Sequence, residues 1–175
     1  RRGARVDPNH VVLSASSSEA YSWLFKLLCN PGDGVLVPQP SYPLFEHLTR
    51  LESVHPIPYQ LRYHGRWEID FDTVIEAPAH VRAILLVSPN NPTGSFVTRD
   101  EARRLAEICR ARGWAIVADE VFADYPLDAD SAPSESVMDL DVLSFTLGGA
   151  SKSLGLPQIK LGWMVVGGQV QERDR

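Results

Sequence analysis

Cysteine is scarce in this sequence, long apolar runs are absent, and positive charge is in the minority. The 175 residues include only two cysteines and five histidines. Cys29 and Cys109 fall near the ends of two helical stretches far apart in the chain. They read as free, mostly buried thiols of a reducing cytoplasm rather than a disulfide framework. Neither the cysteines nor the scattered histidines show metal-ligand spacing, so no metal site is expected. No apolar run approaches the roughly 20 residues of a membrane span, and no signal peptide opens the chain. A cytoplasmic protein with no membrane partner is expected. The formal net charge of -5 excludes a broad electrostatic grip on nucleic acid. There is no low-complexity segment, internal repeat or linker. There is also no initiating methionine: the chain opens on RRGARVDPNH and closes on GGQVQERDR, and reads as the middle of something longer, incomplete at both ends.

What is present is ordinary globular composition, 44% hydrophobic and 22% charged, long enough for one domain with a sizeable core. Strand-like and helical stretches alternate. HVVLSAS, VLVP, RAILLVSP, WAIVADE and VLSFTL read as strands. VHPIPYQL reads as a strand weakened by prolines, and IKLGWMVVGG ends in one. SSEAYSWLFKLLC has helical spacing, with Tyr21, Leu24, Phe25 and Leu28 on one face and Ser18 as N-cap. SYPLFEHLTRLE and IDFDTVIEAPA read as further helices. TRDEARRLAEICRARG is the clearest helix: Thr98 and Glu101 form a capping box and Gly113 ends it. Strands without alternation, interleaved with helices, predict a three-layer αβα fold with a mainly parallel sheet. Ligands of such sheets bind at the carboxyl ends of the strands. The unusual segments SASSS, PQPSYP, SPNNPTG, ADEVF and GGASK all follow strands, so five distant stretches are expected to converge on one edge.

Their chemistry points to one kind of ligand. Ser16, Ser17 and Ser18 open a helix, where hydroxyls and free amides suit a phosphate, although capping alone needs only one serine. Tyr42, held between Pro40 and Pro43, can present its ring to a flat ligand or simply pack. Asn90 and Asn91 sit in a turn where side-chain amides bond their own backbone, a role that suits Asn90 better than Asn91. Asp119 ends an apolar strand and needs a partner, either an internal hydrogen bond or a ligand cation. Lys152 and Lys160 lie in GGASKSLGLPQIKLGW, otherwise small and apolar. A lysine near apolar walls and a second cation loses proton affinity and becomes a nucleophile. Phosphate, flat ring, ring cation and nucleophilic lysine together describe pyridoxal 5′-phosphate (PLP), held as a Schiff base.

The stretches SSSEAYSWLFKLLCNPGDGVLVPQPSYP, SPNNPTG, VADEVFADY and GGASKSLGLPQIKLGW resemble, in order and spacing, the class I/II aminotransferases, which are fold-type I PLP enzymes. The resemblance covers nearly the whole chain. It implies that residues 1–175 are part of a PLP-binding large domain, with the small domain absent. It implies Lys152 as the Schiff-base lysine and proton shuttle, and Asp119 as the acid that keeps the pyridine nitrogen protonated. Asn91 is implied as the partner of the ring's phenolic oxygen, Tyr42 as the stacking ring, and Ser16, Ser17 and Ser18 as the phosphate turn. Lys160 falls where most relatives carry a phosphate-binding arginine; its other reading is a surface lysine with its stem along apolar neighbours. The implied activity is transfer of an amino group between an amino acid and a 2-oxo acid, in a homodimer.

Three departures stand out. Phe122 replaces a tyrosine whose hydroxyl bonds the phenolic oxygen in many relatives, so a raised Schiff-base pKa is expected; Tyr125 is the available substitute. Lys160 lacks the planar fork of arginine. The serine turn replaces a glycine-containing one. Arg50, Arg62, Arg66 and Arg82 lie outside the matching motifs and read as surface residues, which leaves no arginine for a substrate carboxylate. Three alternatives stay open: another PLP reaction such as C–S lysis or decarboxylation, a non-catalytic PLP-binding sensor domain of a transcription regulator, and a structural domain with a decayed site. Joint retention of Lys152, Asp119 and Asn91 speaks against the last.

Overall fold

The computed structural model describes residues 6–126 and 140–168; residues 1–5, 127–139 and 169–175 lie outside the described residues. The strands are β1 (Val11–Ser14), β2 (Gly34–Gln39), β3 (His55–Tyr63), β4 (Trp67–Ile69), β5 (Val81–Val87), β6 (Ala115–Asp119), β7 (Ser144–Gly149) and β8 (Gly162–Gly167). The helices are α1 (Ser17–Leu28), α2 (Leu44–Leu51), α3 (Phe71–Ile75), α4 (Arg99–Arg112) and the one-turn α5 (Ala150–Ser153). The strands form one sheet in the order β1-β8-β7-β6-β5-β2-β3-β4. The central run from β3 through β2, β5 and β6 to β7 is parallel throughout. β8 returns antiparallel to β7, β1 runs antiparallel to β8, and β4 pairs antiparallel with β3.

The central strands are apolar without alternation because both faces are covered. Along β5, Ala83, Leu85 and Val87 join α1 and α2 on one face, through Tyr21, Leu24, Phe25 and Phe45. Ile84 and Leu86 join α3 and α4 on the other, through Phe71, Val74, Leu105 and Cys109. Each fully buried leucine or isoleucine here contributes about 1.5–3 kcal/mol. The three-layer arrangement expected from the sequence is therefore the one observed.

The prolines of β3 are accommodated by the side they face. His55 donates its amide to Asp33 O on the β2 side at 2.8 Å. Pro56 and Pro58, one residue out of phase, therefore turn their missing donors away from β2, where β4 pairs only with Leu61–Tyr63. Helix α4 has the expected capping box from Thr98 and Glu101, and Gly113 closes it in the left-handed conformation at φ 68°. Both cysteines are free; burial pushes Cys29 up to about 11 and Cys109 to about 12. Among the described residues no helix is long and apolar enough to cross a membrane, and no cluster of side chains could hold a metal ion.

Candidate active site

Strand order reverses between β2 and β5, the place where an open α/β sheet forms a crevice at its carboxyl edge. A cavity of about 260 Å³ opens there on the α1–α2 side, near the low end of about 300–1,000 Å³ for ligand pockets. All five expected segments reach it: Ser17 and Ser18, Tyr42, Asn91, Asp119 with Phe122, and Lys152 all contribute to its lining. A larger, shallower groove of about 510 Å³ beside it shares only Tyr42 among these residues.

Period-two geometry places Asp119. On β6, Ala115 and Val117 face α1 and α2, so Asp119, two residues on, faces the same way. Its carboxylate is buried and its pairing is internal. The Tyr21 hydroxyl donates to Oδ2 at 2.9 Å, and the Val121 amide donates to Oδ1 at 3.1 Å. Burial pushes the Asp119 carboxyl up, and these two hydrogen bonds pull it part of the way back. Tyr21 lines the cavity too, yet the sequence offered it only as one of four apolar positions on a helix face. The sole available signal was that a buried tyrosine needs a partner for its hydroxyl.

The serine turn divides its labour. Ser16, not Ser18, is the N-cap of α1: its hydroxyl accepts from the Glu19 amide at 3.1 Å. Ser17 and Ser18 are consequently the first two helical residues, whose amides have no acceptor within the helix. Both line the cavity and Ser16 does not. The turn sits close against β8 because Gly162 has no side chain; a Cβ there would come within 2.8 Å of Ser14 Oγ and 3.0 Å of the Ser16 carbonyl carbon.

Asn90 is buried, and its amide nitrogen donates to Pro40 O at 3.1 Å and to Thr93 Oγ1 at 3.0 Å, which fixes the turn. That leaves Asn91 for the cavity. Tyr42 packs edge-on against Phe45 (6.5 Å between centroids), and Phe45 packs edge-on against Tyr21 (5.3 Å). Lys152 Nζ stands 5.4 Å from the centre of the Phe122 ring. Tyr125 does not reach the cavity lining; its hydroxyl donates to the Lys152 carbonyl instead. Lys160 is exposed, in the left-handed conformation at φ 50°, and is not among the cavity-lining residues. The structure thus brings together Ser17, Ser18, Tyr42, Asn91, Asp119 and Lys152 but leaves Ser16 and Lys160 outside. The four arginines read as surface residues are ion-paired there, Arg50 with Glu46, Arg62 with Asp70, Arg66 with Glu68 and Arg82 with Asp33.

The donor set suits a ligand with an anionic end, a flat body and a cationic nitrogen. Two free helix-terminal amides with two hydroxyls serve the first, the Tyr42 ring the second, and the Asp119 carboxylate the third. PLP has all three features and an aldehyde for an amine such as Lys152, so the residues present fit it.

Comparison with known proteins agrees with this chemistry. The sequence model of the family described as aminotransferase class I and II matches residues 2–172. The chain is 30% identical over 167 residues to the glutamate-pyruvate aminotransferase AlaA of Haemophilus influenzae, covering 95% of this chain and 41% of that protein. Its fold superimposes on an aminotransferase from Escherichia coli with a TM-score of 0.87 at 29% identity, over 95% of this chain and 42% of the other. A PLP-bound C–S lyase from Staphylococcus hominis shares the fold at a TM-score of 0.86 and 23% identity, over 99% of this chain and 45% of that one. The chain spans about two fifths of the length of the curated relatives it matches.

Proposed function

The chain belongs to the aminotransferase class I and II family, and from that premise we propose that it forms the cofactor-holding part of the large domain of a PLP-dependent aminotransferase. The whole protein transfers an amino group between an amino acid and a 2-oxo acid, as a cytoplasmic homodimer in keeping with the family. The observation that carries this reading is the convergence of Lys152, Asp119, Asn91, Tyr42, Ser17 and Ser18, from five segments of the chain, on one cavity.

Bound PLP supplies an electron-withdrawing ring that stabilises negative charge developing at the substrate's Cα. The protein's part is positioning and proton control. The amides and hydroxyls of Ser17 and Ser18 hold the phosphate at the α1 N-terminus, where the helix dipole favours an anion. Asp119 keeps a proton on the ring nitrogen by placing a buried carboxylate opposite it; an opposite charge at this distance from water favours the charged form of both groups. Asn91 would offer its amide N–H to the ring's phenolic oxygen, and Tyr42 would supply the ring for stacking. Lys152 Nζ would be the amine that anchors the cofactor and the base for the proton at the substrate's Cα. Phe122 gives that amine an apolar neighbour and no hydroxyl.

The test is to incubate the protein with PLP, reduce with borohydride and map the added mass by peptide mass spectrometry. A tag on Lys152 that disappears in Lys152→Ala is the expected result. A tag on Lys160 would reverse the two lysine roles; if this chain takes no specific tag the test is repeated on the whole protein, and no specific tag there would overturn the cofactor assignment.

A further inference from the structure

We propose that Tyr21 is a positioning residue of the cavity: its hydroxyl holds one oxygen of Asp119, so that the carboxylate keeps a single orientation and stays available to a cationic ring nitrogen. This rests on the cofactor reading above. The two groups lie 98 residues apart in sequence and 2.9 Å apart in space, and both are buried. The α1 position that Tyr21 occupies faces the core beside Ala20, Leu24 and Phe25, where a phenylalanine would fill nearly the same volume. A tyrosine there brings a hydroxyl that must find an acceptor, and the acceptor it finds is the one carboxylate in the cavity lining.

Asp119 has few other means of control. Among the described residues its donors are the Tyr21 hydroxyl and the Val121 amide, and no cationic side chain forms an ion pair with it. The titratable groups around the same cavity are Tyr21, Tyr42, Asp119 and Lys152. The Val121 amide is fixed by the backbone, so Tyr21 is the one side chain that orients the carboxylate. Its ring is itself fixed, at 5.3 Å from Phe45 and 5.9 Å from Phe25. Burial and the neighbouring Asp119 hold the Tyr21 hydroxyl well above the usual phenol range, so it remains a donor throughout the pH range in which Asp119 ionises. A donor to the ionised form favours that form, and a bond to a charged group is the stronger kind.

The experiment follows the Asp119 carboxyl carbon by NMR through a pH titration of the ligand-free protein, with the signal assigned by its loss in Asp119→Asn. In Tyr21→Phe the midpoint is expected to rise by about one pH unit or more, with the remaining spectrum unchanged. PLP affinity, read by quenching of tryptophan fluorescence, is expected to fall about tenfold, and in an Asp119→Asn background the same Tyr21 substitution is expected to cost no further affinity. An unmoved midpoint, or affinity losses that simply add, would overturn the proposal, since a packing role predicts both. Should Tyr21→Phe not fold, Asp119→Asn alone decides: the Tyr21 Cζ resonance must shift if the pair exists, and an unshifted resonance overturns it. Failure of the unaltered protein to bind PLP overturns the cofactor reading, and the role with it, while the ligand-free titration still reports the pairing itself.

Discussion

The hydroxyl of Tyr125 donates to the backbone carbonyl of Lys152 at 2.5 Å, joining the segment after β6 to the one-turn helix after β7. The contact settles what Tyr125 does in the absence of a tyrosine at position 122. It braces the backbone of Lys152 from outside the cavity and offers nothing to a ligand's oxygen.

Two substitutions therefore separate cleanly. Phe122→Tyr places a hydroxyl on the ring whose centre lies 5.4 Å from Lys152 Nζ, and in the PLP-loaded protein the pH midpoint of the cofactor's absorbance change is expected to fall. Tyr125→Phe is expected to leave that midpoint in place. Because Tyr125 is 54% exposed, its lost hydrogen bond is worth about 1 kcal/mol, and the melting temperature should drop by about 2–4 °C. A midpoint that moves in Tyr125→Phe but not in Phe122→Tyr would reverse these assignments.

The serine turn predicts a division between stability and binding. Ser16→Ala removes the cap of α1 and is expected to destabilise the fold by about 1 kcal/mol in urea titration. Its effect on PLP affinity should be small. Ser18→Ala leaves the cap intact and is expected to weaken PLP binding with little change in the urea midpoint. Equal effects of the two on both measurements would show that the turn acts as one unit.

Gly148 lies directly beneath the Trp163 indole across the β7–β8 ladder. A Cβ at position 148 would come within 2.4 Å of the indole Nε1 and 2.5 Å of Cε2. Gly148→Ala is expected to cost about 1–3 kcal/mol by overpacking. Combined with Trp163→Leu it should cost much less than the sum of the two single changes, because neighbouring substitutions that relieve one clash do not add. Additivity in chemical denaturation would rule out this contact as the reason for glycine.

Asp119 makes the ligand-free fold less stable as pH rises. Its carboxyl is held above its ordinary value by burial, so the folded state binds more protons than the unfolded one between the unfolded value near 3.9 and the raised folded value. Stability attributable to this group is then fully present at low pH and is lost through that window. Asp33 and Glu52 have the opposite sign: the Arg82 guanidinium lowers Asp33, and the Ser22 hydroxyl followed by Lys26 lowers Glu52. Their contribution is present above the unfolded carboxylate range and is lost as pH falls. The clean measurement is the difference between the protein and Asp119→Asn in urea denaturation at stepped pH. The Asn variant is expected to gain relative stability as pH rises, and a flat difference would sink the assignment.

Much of this was legible in the sequence. The capping box of Thr98 and Glu101 and the left-handed Gly113 were readable because cap chemistry acts over three or four residues. The apolar run from Ala83 to Val87 in β5 announced a strand covered on both faces. The placement of Lys152, Asp119 and Asn91 at or just past the carboxyl ends of strands was readable because every parallel strand delivers its end and its following loop to the same edge. Less legible was the short β4, too brief for a periodic signal. The antiparallel return of β8 was also hidden; residues 150–161 contain only the one-turn α5 and a three-residue 3-10 turn at Pro157–Ile159, too little for the crossover that a parallel strand needs.

What the sequence determined by itself, then, was most of the elements, the layered fold and the chemistry gathered at one sheet edge, because helix caps, strand periodicity and residue types are local properties. The tertiary structure alone decided which groups meet. It turned Asp119 toward α1 and gave it the Tyr21 hydroxyl. It assigned the cap to Ser16 and the cavity to Ser17 and Ser18, held Tyr125 on the Lys152 backbone and left Lys160 outside the lining. Each of these depends on the register and packing of segments distant in the chain, and the distance between two such side chains is fixed only when the sheet and its covering helices close on one another.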